Sequence, residues 1–169
     1  MYKQLIGLSV AIAMTSAAFA HGGATGIVKQ RMDEMGAMSK SIKAIAPMIK
    51  GTAPYDAETV RNNAKILQQH AGEHMVSLFP QGSDQAPTDA KPNVWEEQEA
   101  FGAIATKLQH YAVALESSAD NPPQKLDKSQ LPSFEGPVVS VDALAEKSVS
   151  VSFGLVAKSC STCHTKFRR

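Results

Sequence analysis

The chain has 169 residues, room for one domain plus a targeting segment. Apolar residues make up 43% and charged residues 20%, which suffices for a compact core, and the charges nearly cancel at +1. No Lys/Arg block is long enough to form a nucleic-acid footprint, so the charge pattern excludes a nucleic-acid partner.

Residues 1–20 read as a secretory signal peptide. Lys3 supplies the positive start, Leu5 to Ala18 is apolar or small, and Ala18-Phe19-Ala20 is an A-x-A cleavage site. Cleavage after Ala20 would leave a mature chain of residues 21–169 in the bacterial periplasm. No later stretch is long and apolar enough to span a bilayer.

Four segments carry helical periodicity. In the first, about Ile27 to Ile49, Val28, Met35, Ile42 and Ile49 recur every seven residues, with Met38 and Ile45 between them. Pro47 predicts a kink or an early end. Asp56 is placed to cap the second helix, whose face is Val60, Ala64, Leu67, Ala71 and Leu78. Asn93 is placed to cap the third, with Trp95, Phe101, Ile104, Leu108, Tyr111 and Leu115 along its stripe. Residues 121–140 contain four prolines and no clear period, and read as a long loop before the last helix. That helix begins near Asp142, and Val149, Phe153, Val156, Cys160, Cys163 and Phe167 mark its expected buried stripe. Four helices, each burying one stripe, predict an all-α, antiparallel four-helix bundle.

Both cysteines lie in the last ten residues, in Cys160-Ser-Thr-Cys163-His164, the C-x-x-C-H pattern of c-type haem attachment. Residues three apart share a helix face. Two thiols can therefore reach the two vinyl groups of one haem and form thioethers at Cys160 and Cys163, while the adjacent His164 supplies the proximal iron ligand. A redox dithiol normally opens a helix after a strand, and a zinc site would need further ligands that no second Cys pair provides. One covalent haem c, near the end of the last helix, is the expected cofactor.

With that motif, the order of several patches resembles the cytochrome c prime family. These are Val-Lys-Gln-Arg31 followed by Met-rich sequence, Lys50-Gly-Thr-Ala-Pro-Tyr-Asp56, Leu78-Phe-Pro-Gln-Gly-Ser83, Lys91-Pro-Asn-Val-Trp95, and Phe167-Arg168. The resemblance covers most of residues 27–169 and implies an exported four-helix bundle. It also implies a homodimer through the first two helices. The chain departs from the family at 121–140, where the connection is roughly twenty residues longer than expected.

The resemblance implies four further site assignments. Arg31 bonds a haem propionate. Met32 matches the methionine that binds iron in low-spin members, directly after the arginine. Met35 and Arg168 flank the haem pocket in high-spin, gas-binding members. Two functions follow. The reading favoured by the sequence is a periplasmic one-electron carrier with His164/Met32 ligation, working with a redox partner protein. The alternative is a five-coordinate, high-spin cytochrome that binds a small diatomic gas, nitric oxide or carbon monoxide. No nucleophile triad or phosphate-binding glycine loop points to an enzyme.

Three histidine signals are weaker. His70-Ala-Gly-Glu-His74 matches an inverted zinc-protease pattern, but no third ligand is recognisable from spacing, and solvated side chains are the expectation. His110 reads as a helix-surface residue. His21, as a mature amino terminus, could chelate copper through its amine and ring.

Overall fold

A computed structural model describes residues 23–127, 129 and 131–169. The expected signal segment and His21 lie outside the described residues. Seven helices occur within them: α1 (Gly26–Ile49), α2 (Ala57–Gln69), α3 (Gly72–Ser77), α4 (Asn93–Glu96), α5 (Gln98–Ser117), α6 (Val141–Ala145) and α7 (Val149–Phe167). The long ones, α1, α2, α5 and α7, form a four-helix bundle, with no strand among the described residues beyond one isolated bridge between Ala90 and Arg168.

Helix α1 buries Arg31, Met38, Ser41 and Ile45, a stripe at helical spacing. Pro47 does not end it early. The proline sits in the final turn, two residues before the helix ends at Ile49, and its carbonyl accepts from the Thr52 N–H at 2.9 Å. Asp56 caps α2 as expected, its carboxylate accepting from the Glu58 and Thr59 N–H groups, each at 3.2 Å.

The second, third and fourth predicted helices are each interrupted, the fourth at residues 146–148 between α6 and α7. Gly72 adopts φ +64°, a left-handed conformation that breaks the path between α2 and α3. Glu97 leaves helical geometry between α4 and α5. Asn93 does not cap; it is the first residue of α4, and its side-chain amide instead donates to the Lys166 carbonyl at 3.1 Å.

Helix α5 is the centre of the bundle and packs on α2, α3, α6 and α7. Its Tyr111 and Leu115 are fully buried with Leu67 of α2 and Leu155 of α7, each such side chain contributing about 1.5–3 kcal/mol. The α7 face against the core differs from the predicted stripe. Ser152 and Ser159 are fully buried, while Phe153, Cys160 and Cys163 are half-buried along its border. Small residues allow close approach, and both hydroxyls are satisfied: Ser118 donates to Ser152 at 2.9 Å, and Ser159 donates to the Leu155 carbonyl at 2.9 Å.

The segment between α5 and α6 is seated rather than loose. Phe134 is buried, and Lys107 donates to its carbonyl at 2.6 Å. His110 is half-buried and bonded to the Val139 carbonyl at 2.7 Å, so it anchors this segment instead of standing at a free surface. Leu126 and Leu131 lie against Gly154 of α7, where an added Cβ would meet them at 3.0 and 2.8 Å.

Candidate haem site

Cys160 and Cys163 are free thiols on consecutive turns of α7, both half-buried at the edge of the core. Burial pushes the Cys160 thiol up; burial, and then the charge of Cys160, push Cys163 to about 11. His164 follows on the exposed side. Partial burial, and then the charge of Arg168, push its imidazole below the ordinary value, which favours the neutral form that ligates iron.

The end of α7 is held from outside the helix. The Lys91 N–H donates to the Phe167 carbonyl at 2.9 Å, the Lys91 ammonium to the Thr165 carbonyl at 3.0 Å, and Asn93 to the Lys166 carbonyl. Three otherwise unpaired helix-end acceptors are thus satisfied by the Lys91–Asn93 segment, which fixes the turn that carries the motif. Arg168 turns outward to Asp89, with N···O 3.2 Å.

Across the bundle, Arg31 is 5% exposed and forms no ion pair among the described residues. Its guanidinium donates to the Leu78 carbonyl, the Ser83 carbonyl at 2.9 Å and the Ser83 hydroxyl. It lies 4.3 Å from the centre of the Phe79 ring and 5.5 Å from that of Trp95, and burial pushes its pKa down. Edge-to-face contacts then run from Phe79 to Phe101 at 4.9 Å and from Phe101 to Phe167 at 5.3 Å. This aromatic chain joins Arg31 on α1 to α7, one turn beyond Cys163. Sequence reasoning missed Phe79 and Ser83 as the Arg31 supports, although both lie in the Leu78–Ser83 patch that carried the resemblance.

The two methionines separate. Met32 is 40% exposed, whereas Met35, one turn after Arg31, is partly buried against the core. Helix α7 packs closely on α5 and only thinly on α1. The half-buried residues Met35, Cys160 and Cys163 belong to these two less closely packed helices.

These residues fit a c-type haem on three counts: two thiols one turn apart, a neighbouring imidazole, and a buried cation with only neutral partners. The model of the family described as "Cytochrome C'" matches residues 26–136, most of the helical chain. The chain belongs to the cytochrome c prime family. The family carries one covalently attached c-type haem, and the matched stretch ends before residues 160–164, so the attachment motif is a separate indication of the same cofactor.

Among relatives, a cytochrome c prime of Alcaligenes xylosoxydans xylosoxydans is 26% identical over 142 residues, 84% of this chain and 92% of that protein. A protein named cytochrome c-556 from Agrobacterium tumefaciens is 34% identical over 83 residues, 49% of this chain and 66% of that one. Among solved structures, the nitric oxide complex of a cytochrome c prime variant from Alcaligenes xylosoxidans matches with TM-score 0.61 at 25% identity, covering 85% of this chain and 94% of that one.

His70 and His74 are not independently solvated. Both turn toward Glu34 of α1, with His70 Nδ1 at 3.3 Å and His74 Nε2 at 2.8 Å from its Oε2. The break at Gly72 takes the two histidines off one continuous helix, so their juxtaposition with Glu34 had no signature in the spacing.

Proposed function

We propose that this cytochrome c prime is a periplasmic, five-coordinate haem protein that binds nitric oxide or carbon monoxide. In this reading Cys160 and Cys163 hold the haem through thioethers, and His164 is the proximal ligand. The haem supplies a redox-active iron with one open coordination position. Arg31 pairs with a propionate, which gives its buried charge the anionic partner that Leu78 and Ser83 do not provide.

The placement of Met32 carries this reading. Met32 is 40% exposed on α1, while Met35 packs against the core. Met35 then covers the distal side with an apolar side chain that offers no hydrogen-bond donor. Such a face favours small neutral gases over dioxygen, whose bound form gains from a donor. The relative solved as a nitric oxide complex supports the same choice. Arg168, paired with Asp89, acts on the proximal side through its charge on His164. Export with cleavage after Ala20 supplies the location, and no helix of the described residues is long and apolar enough to cross a membrane. Dimerisation through α1 and α2 is the matching assembly.

The second reading, a His164/Met32 one-electron carrier, is favoured by Met32 directly following Arg31. The Met32 side chain is not locked in the core. Ferrous holoprotein mixed with carbon monoxide separates the two. A rapid, saturable shift of the haem absorption supports gas binding, and inertness to carbon monoxide and nitric oxide overturns it.

A further inference from the structure

The geometry points to a second metal site: Glu34, His70 and His74 together bind one divalent transition-metal ion of the zinc class. Three helical elements contribute, since Glu34 lies on α1, His70 caps the end of α2 and His74 lies on α3. The ligand atoms all lie within 4.8 Å of one another. Ligands about 2.0–2.1 Å from a tetrahedral zinc ion stand about 3.3 Å apart. His70 Nδ1 is 3.3 Å from Glu34 Oε2, and His74 Nε2 is 2.8 Å from the same oxygen, so small side-chain rotations complete the set.

A second observation points to a ligand. His70 Nδ1 is buried and makes no aligned hydrogen bond, even to the Glu34 oxygen at 3.3 Å. A buried ring nitrogen without a partner is costly, and metal coordination satisfies it. The other Glu34 oxygen is already engaged, because the Gln30 amide donates to Oε1 at 3.1 Å. That bond orients the carboxylate and leaves Oε2 toward the histidines, as an outer-shell partner does in metal sites. The two rings are tilted at 55° with centroids 6.0 Å apart, converging rather than stacking.

Imidazole and carboxylate donors select zinc, copper and nickel over calcium or magnesium. The His74 side chain is 44% exposed, which provides an entry path, and water completes the coordination. Glu34 immediately precedes Met35, so the ion fastens this turn of α1 to the α2–α3 corner. The site does not depend on whether the haem iron takes a gas or a methionine.

Isothermal titration of haem-loaded protein with Zn²⁺ at neutral pH tests it. One ion binds per chain, and Glu34→Gln, His70→Ala and His74→Ala each weaken binding at least tenfold with haem absorption unchanged. Zinc-edge X-ray absorption of the loaded protein reports two imidazoles and one carboxylate at about 2.0–2.1 Å. Absence of saturable zinc binding, or binding unchanged in both His70→Ala and His74→Ala, overturns the proposal. His74→Ala removes an exposed side chain, so it folds and decides the question even if the more buried variants do not.

Discussion

The guanidinium carbon of Arg31 rests 4.3 Å from the centre of the Phe79 ring, and every hydrogen bond it makes among the described residues is to a neutral acceptor. A buried cation held this way keeps two carbonyls satisfied and gains from the aromatic face. Arg31→Met removes the donors and strands the carbonyls of Leu78 and Ser83. The expected loss is about 1–3 kcal/mol in guanidinium chloride unfolding of the haem-loaded protein. Arg31→Lys keeps the charge but not the planar fork, and recovers only part of that loss. Unfolding midpoints unchanged in both variants would remove Arg31 from the support of the site.

Gly72 and Gly102 make an opposed pair. Gly72 has φ +64°, and a Cβ there would meet the Gln109 Oε1 at 2.3 Å. Gly72→Ala therefore costs about 1–2 kcal/mol for the backbone conformation alone. Gly102 lies inside α5, and its Cβ would meet only Val76 Cγ2 at an ordinary 3.7 Å. Gly102→Ala gains about 0.5–1 kcal/mol from helix propensity. Thermal unfolding of the two variants should move in opposite directions.

That contrast also shows what was legible in the sequence. Heptad spacing located α1 and the Asp56 cap located α2, because each is a local pattern with a local cause. The burial of Ser152 and Ser159 was not legible, since it depends on Ser118 of α5 and on the close approach of two helices. The meeting of Glu34 with His70 and His74 is likewise long-range, and required the left-handed break at Gly72. The Leu78–Ser83 patch was seen as a resemblance, but its task of holding Arg31 depends on a contact spanning about fifty residues of chain.

Glu34 should leave a mark on acid unfolding. Burial acts to raise its carboxyl, but hydrogen bonds from Gln30 and His74 and the charge of His74 outweigh it and hold the group below the ordinary range. A carboxyl lowered in the folded state adds stability above its unfolded pKa, about 4.3, and that stability is lost as pH falls through the lower folded value. Denaturant midpoints measured from pH 6 downward should fall less steeply below about pH 4.3 in Glu34→Gln than in the parent. Parallel profiles would show that Gln30 and His74 do not stabilise the carboxylate.

The cysteines should be sluggish thiols before the haem is attached. Burial raises both, Cys163 to about 11, so at pH 8 little thiolate is present. In chain expressed without haem attachment, alkylation by iodoacetamide at pH 8 should be at least tenfold slower when folded than in denaturant. Equal rates would mean that α7 does not bury them.

The proposal of an open iron site is tested most directly by the optical and paramagnetic resonance spectra of the oxidised holoprotein. Five-coordinate ligation by His164 gives a high-spin ferric signal without a sulfur-to-iron charge-transfer band, unchanged in Met32→Ala. A low-spin signal with that band, lost in Met32→Ala and retained in Met35→Ala, would place the Met32 thioether on the iron and contradict gas binding at an open position.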